Sequence, residues 1–153
     1  MKKLLFLLSL LATVSCDTTE RLNPKGAQFN SRGCLECDNY SAGESFIIDG
    51  NEFLVVDRTM LDSVISVNGI YSRLCVSKVN DMSNLFKSRW ESGDISNWDV
   101  SNVTNMSHMF EGAFDFNHDL SDWCVSNFSS IPANFSYLSA LTASNHPVWG
   151  TCP

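Results

Sequence analysis

At 153 residues, with 44% apolar side chains and a formal charge of −7, the chain has room for one domain plus short extras and is too apolar for wholesale disorder. Without residues 1–15, which include Lys2 and Lys3, 8 basic residues face 17 acidic ones, a charge of 8 − 17 = −9. Such an acidic chain speaks against nucleic acid, whose phosphates need basic neutralisation, and against docking on anionic lipid through a basic patch.

In chain order, Lys2 and Lys3 form a positive start and residues 4–14 an apolar run of signal-peptide length, shorter than the ~20 residues of a membrane span. The run ends at Thr13, Val14, Ser15 and Cys16. A small residue just before a cysteine resembles a bacterial lipobox, although Thr13 stands where an aliphatic residue is usual. That resemblance implies cleavage before Cys16 and its lipidation, which anchors a chain to a membrane without spanning it. The alternative is an ordinary secretory signal cut near Ser15. The expected location is therefore the cell envelope, lipid-anchored at the outer membrane or cell surface, or else the secreted state.

Residues 16–42 are rich in Thr, Asn, Gly, Ser and Arg with little periodicity, and predict a tether. An ordered but irregular arm remains the alternative near Cys34. Beyond Cys16 the chain has Cys34, Cys37, Cys75, Cys124 and Cys152. An exported protein can keep disulfides, and an odd number leaves one thiol over. Cys34 and Cys37 form a lone CxxC with no second pair and no histidines at ligand spacing, so structural bridging is expected rather than metal or redox chemistry.

Residues 43–70 read as an N-terminal cap. Phe46, Ile47 and Ile48, then Asp49 and Gly50, then Phe53 to Val56 spell a β-hairpin. Asp57 is placed to cap a helix over 58–67 whose apolar face is Met60, Leu61, Val64 and Ile65. Asn68 and Gly69 then end it.

From residue 71 onward the chain repeats. Tyr71, Leu74, Val76, Val79, Met82 and Phe86 recur as Ile95, Trp98, Val100, Val103, Met106 and Phe110. They recur again as Leu120, Trp123, Val125, Phe128, Ile131 and Phe135. A period of 24–25 residues predicts a solenoid. Asp99, Val100 and Ser101 alternate as a short strand would. Asp81, Asn105 and Ser130 then occupy the N-cap position of a helix whose buried face is Met82, Leu85 and Phe86, or Met106, Met109 and Phe110. Pro132 is compatible with the first turn of the third such helix. The expected fold is thus an α/β repeat: a short leucine-rich-repeat-like solenoid of about three strand-turn-helix units over 71–153. It is capped by the hairpin and helix at one end and by a disulfide-closed tail at the other. The tail is expected to fold over the last repeat with Cys152 bonded to Cys124. Cys75 is expected to pair with Cys37, with Cys34 competing.

The segments DVSNVTNMSHMFEGAFDFNHDLSDW and CVSNFSSIPANF, with the ending HPVWGTCP, resemble the BspA-like leucine-rich repeat surface proteins of bacteria, formerly catalogued as a domain of unknown function. The resemblance covers 43–153. In the first copy, 87–93 replaces the usual loop and is one residue short. The resemblance implies an exported surface protein and no catalytic residues; some members are implicated in adhesion or in binding host and matrix proteins, and others have no known partner.

His108, His118 and His146 are scattered and read as surface residues. Asp94, Asp99, Asp115, Asp119 and Asp122 suit turns better than a calcium site. Five N-x-[ST] triplets, at Asn39, Asn102, Asn105, Asn127 and Asn134, read as composition. No nucleophile motif stands out. Trp98 and Trp123 read as core by period, with a recognition face as the alternative. The expectation is a non-enzymatic protein-binding or adhesion module, monomeric, without cofactor or metal, with an unknown protein or cell-surface partner. Its predicted contact face is Ser77, Lys78, Asp99, Ser101, Asn102, Ser126 and Asn127. A structural envelope protein without a soluble ligand is the alternative.

Overall fold

A computed structural model describes residues 22–90 and 93–153. The signal segment and Cys16 lie outside the described residues. The chain begins with a two-stranded antiparallel ribbon, β1 (Gln28–Phe29) and β2 (Leu35–Glu36). A hairpin of β3 (Ser45–Ile48) and β4 (Asn51–Val55) follows, turning at Asp49 and Gly50 with φ of 49° and 77°. Two successive positive φ values make the turn type whose twist matches that of the strands it joins, which is why Asp-Gly stands there.

Helix α1 (Arg58–Ser66) starts where Asp57 Oδ1 accepts a hydrogen bond from the Met60 amide at 2.9 Å. It buries Leu61 and Ile65. The chain leaves it through Asn68 at φ 51°, and the Gly69 amide returns to Val64 O at 3.0 Å. A Cβ on Gly69 would lie 2.5 Å from Val64 Cγ1, so the close return needs glycine. α1 carries the chain over to β5 (Leu74–Cys75), which pairs parallel with β4 in a sheet of order β3-β4-β5.

The expected strand-turn-helix solenoid is not what the repeats form. Among the described residues no helix lies between 74 and 142. Each copy is instead a chain of tight turns. Where short strands were expected, the amides of Val79, Val103 and Phe128 bond back to the carbonyls of Val76, Val100 and Val125 at 2.8, 2.9 and 3.0 Å. Where helices were expected, the amides of Met82, Asn84, Phe86 and Ser88 donate to the carbonyls of Asn105, Ser107, Met109 and Glu111 in the next copy. The amides of His108, Phe110 and Gly112 likewise donate to Ala133, Phe135 and Tyr137. A helix needs those same amides for its own carbonyls four residues back, so each copy pairs with its neighbour at the expense of a helix. Asn84 and His108, at one repeat position, and Asn134, one residue past the matching Ala133, have φ of 59°, 60° and 51°, a left-handed conformation that ends any helical run. The predicted caps are turn residues. Asp81 Oδ1 and Asn105 Oδ1 accept from the amides of Ser83 and Ser107, two residues on, at 2.8 and 3.1 Å.

The apolar period nevertheless marks the core. Phe86 stacks on Phe110 of the next copy with ring centres 5.4 Å apart, and Phe110 stacks on Phe116 within its own copy at 4.2 Å. Trp98 and Trp123 are fully buried, and the Trp98 indole N–H donates to Tyr71 O at 3.0 Å. Ile131 departs from its predicted core place and is half exposed, because residues 129–131 of the last copy leave the pairing pattern that buries Met82 and Met106.

Both ends of this ladder are closed by side chains and turns. Arg58 donates Nη1 to Asp81 O and Nη2 to Ser83 O, both at 2.9 Å. Those carbonyls correspond to Asn105 O and Ser107 O, which in the second copy accept from the first. One guanidinium therefore stands in for two amides of a preceding copy. At the other end the tail crosses the last copy: Leu120 donates to Asn145 O at 3.0 Å and Val125 to Thr151 O at 2.9 Å. Trp149 packs edge-on against Phe135 and Phe128. Beyond the tail's reach, the amides of Phe135 and Tyr137 turn back on Pro132 O and Asn134 O.

The predicted tether is folded over its described part. Residues 22–42 contribute Ala27, Leu35, Cys37 and Tyr40 to a second core with Phe46, Phe53, Val55 and Cys75. Leu35 donates to Asn97 O at 2.8 Å and forms a parallel bridge with Trp98. The low periodicity that suggested a tether is that of an arm held by contacts more than forty residues away in sequence.

Candidate interaction surfaces

Part of the predicted contact face lies under this arm. Ser77 and Asp99, expected to be exposed, are buried at 3% and 5% exposure. The Ser77 hydroxyl contacts Leu35 O at 3.3 Å and Asp99 Oδ2 at 3.2 Å, so β2 covers the strip that was expected to be open. The rest of the face holds the fold together. Lys78 reaches Asp38 O at 2.6 Å. Asn102 donates to Ser77 O at 3.1 Å, and Asn127 donates to Ser101 O and Val103 O at 2.6 and 3.2 Å. These asparagines tie each copy to the one before it. Ser126 is exposed.

Cys37 is bonded to Cys75 and Cys124 to Cys152, which leaves Cys34 as a buried thiol. The first bridge clamps the arm to β5, and the second clamps the tail to the last copy.

The aspartates considered for calcium work as turn residues. Asp94, Asp99 and Asp119 each accept from the amide two residues on, at Ser96, Ser101 and Ser121, over 2.9–3.1 Å. The Ser96 amide holds the Asp94 carboxyl below the usual carboxylate range, and the Ser121 amide does the same for Asp119. Among the described residues no group of three or more His, Cys, Asp or Glu could hold a metal ion. The histidines stay apart. His108 pairs with Glu111, and His146 meets Ser136 Oγ at 3.1 Å and packs on Phe135. Burial pushes the His146 pKa down.

A different surface emerges where no contact was expected. Of the four tryptophans, Trp98 and Trp123 are core and Trp149 is half buried, while Trp90 is 66% exposed. Its ring lies 5.3 Å from that of Phe114, itself 52% exposed. The two are 24 residues apart, at one position of adjacent copies, so the stacking that aligns the core also aligns this pair. Beside them Asn68, Ser88, Arg89 and Trp90 line an open cleft of about 390 Å³. Arg89 is fixed by donating to Ile65 O at 2.9 Å. The signal in the sequence was a large aromatic recurring outside the six core positions. It was obscured because the first copy is irregular over 87–93.

Two disulfides, three turn-built copies and an exposed aromatic pair set on them define a small repeat protein. Residues 58–151, more than half of the chain, match the model of the family described as "Mycoplasma protein of unknown function, DUF285", and the chain belongs to that family. No curated protein and no solved structure matches it.

Proposed function

We propose that this chain is the folded domain of an exported, lipid-anchored surface protein that binds another protein and carries no catalysis. The observation that carries the reading is the exposed Trp90–Phe114 pair beside the Arg89 cleft. Large aromatics and arginine are enriched at the centres of protein interfaces, and two adjacent rings left in water form an apolar patch on an otherwise polar rim. The signal-like start, the lipobox-like residues at Cys16 and two disulfides support export. The motif shared with BspA-like surface proteins supports adhesion as the role. The contact surface is the aromatic edge, in place of the face centred on Ser77 and Asp99.

The test is binding of the full chain to a panel of purified matrix and cell-surface proteins, repeated with Trp90→Ala/Phe114→Ala. Loss of two interface aromatics should weaken binding by about tenfold or more with an unchanged circular dichroism spectrum. Unchanged binding by the double variant rules the aromatic edge out. Binding of the intact chain to isolated envelope material alone would favour a structural envelope protein. Cys16→Ala should move the protein from the membrane fraction to the soluble one, and retention at the membrane would sink the lipid anchor.

A further inference from the structure

The ladder has a direction, since each copy gives amides to the carbonyls of the next. The amides of Asn84, Phe86 and Ser88 donate to the second copy, and those of His108, Phe110 and Gly112 to the third, all within 2.7–3.0 Å. Turn bonds lock the residues between them. Glu111 donates to His108 O and Ala113 to Phe110 O, and these bonds recur as Tyr137 to Asn134 O and Ser139 to Ser136 O. The next row of donors is therefore Asn134, Ser136 and Leu138, and the hydrogen bonds of the last copy run one residue later than its apolar period. Backbone angles agree: φ is 60° and 66° at His108 and Gly112, and 51° and 57° at Asn134 and Leu138. Among the described residues no acceptor meets these three amides, because the tail takes the amides of Leu120 and Val125 instead. Asn134 and Leu138 are exposed, as are Ile131 and Tyr137 beside them. No Asp, Glu, Lys or Arg follows Asp122. Charged side chains commonly guard an unpaired backbone edge, and in this acidic chain the last copy and tail carry none.

We propose that this end of the ladder is a docking edge for an uncharged, turn-built segment of a partner protein. The segment adds as a further rung, offering main-chain carbonyls at alternate residues to the amides of Asn134, Ser136 and Leu138. The interface already formed between the second and third copies sets its shape, since Ala133, Phe135 and Tyr137 offer their carbonyls to the second copy in that way. Another molecule of this chain does not fit. Its carbonyls at Asn105, Ser107, Met109 and Glu111 are taken by its own first copy, and those at Ala133, Phe135 and Tyr137 by its second. At the head of the ladder Arg58 holds Asp81 O and Ser83 O. Two open ends brought together would set N–H against N–H. The partner is therefore a different protein with a free row of carbonyls. Its affinity comes from the main chain, as in strand addition to a sheet edge, and its selectivity from apolar side chains that meet Ile131, Tyr137 and Leu138. This edge is separate from the Trp90–Phe114 pair, which lies on the first two copies.

The probe is a synthetic peptide with the sequence of residues 130–139, blocked at both ends, which offers the carbonyl row that the folded chain keeps occupied. Amide hydrogen exchange is followed by NMR on the isotope-labelled, oxidised full chain. In the chain alone, Asn134, Ser136 and Leu138 should exchange freely while His108, Phe110 and Gly112 are protected. Saturating peptide should slow the first three by about tenfold, the worth of one hydrogen bond each, and leave the second three as they were. Tyr137→Lys puts a charge on the edge without touching its amides, and should weaken peptide binding severalfold with the protection of Gly112 unchanged. Protection of Asn134, Ser136 and Leu138 in the chain alone would overturn the proposal, because the edge would already be covered. So would the absence of peptide binding, binding that leaves those three amides unprotected, or full-strength binding by Tyr137→Lys. Self-association of the chain that protects residues 134–138 would overturn the choice of a different protein as partner. These readouts do not use Trp90 or Phe114, so either surface can fail while the other stands.

Discussion

The region up to β5 and the repeats that follow it solve the same problem in different ways. Before β5, backbone hydrogen bonds are largely local. The hairpin pairs residues across a two-residue turn, and α1 bonds within itself. In the repeats, much of the pairing joins residues 23–25 apart, as when Phe86 donates to Met109 and Phe110 to Phe135. A local pattern reports local bonds. The alternation and cap residues of the first region therefore predict its elements, whereas in the second the same kind of pattern reports burial and says nothing about where the amides go. Stability differs accordingly. α1 has its own cap and hydrogen bonds, but a copy of the repeat has no α-helix, and the strand in the first copy, β5, pairs outside it with β4, so each copy depends on its neighbours and on the two closed ends.

The largest expected contrast lies in the core. Phe110 touches Phe86, Phe116 and Phe135 and so joins all three copies. Phe110→Ala should cost about 3–5 kcal/mol in urea unfolding, and the loss should appear across the whole ladder at once. Separate melting of the copies would show that they are not one cooperative unit.

A smaller effect separates the two kinds of end. Arg58→Met removes two charged donors from ladder carbonyls and should cost about 2–3 kcal/mol, whereas Asp57→Ala, which removes only the cap of α1, should cost about 1 kcal/mol. Equal losses in both variants would mean that Arg58 serves α1 through its bonds to Asp62 and not the ladder.

The smallest effect concerns pH and the tail. Burial lowers the pKa of His146, so the folded state favours the neutral ring. Its contribution is present above the ordinary histidine pKa of about 6.5 and is lost as pH falls through the lowered folded value, because the unfolded chain then binds the extra proton. Melting temperature should therefore decline slightly below about pH 6.5, and His146→Gln should flatten that decline. A parent and variant that respond identically would place the pH dependence elsewhere, for example at Asp94 or Asp119. Those carboxyls are held low by serine amides, and they lose their contribution only as pH falls below the ordinary aspartate value of about 4.

The candidate surface was legible only in part. Period alone marked Trp98 and Trp123 as core, and both are buried. It also left Ser77 and Asp99 on a non-core position, which in an isolated ladder would face water. Nothing local to either residue encodes the arm that covers them, since Leu35 is 42 residues from Ser77 in sequence and 64 from Asp99. Trp90 and Phe114 carried a weak signal, recurrence outside the core positions, which became a surface only once stacking brought the two rings 5.3 Å apart.

By itself the sequence determined the Asp49-Gly50 hairpin, the Asp57-capped helix, the 24–25-residue period and most of the side chains that the period buries. Each rests on residue chemistry acting over a few positions, or on apolar spacing repeated until chance is an unlikely source. The tertiary structure decided that the copies pair with one another and do not coil into helices, that the arm folds over them, and that Cys37 and not Cys34 meets Cys75. The physical reason is common to all three. A backbone amide or a thiol has several partners of similar chemistry within reach of an unfolded chain, and which one it takes depends on how the copies stack against each other and against the arm. No window of sequence contains that arrangement.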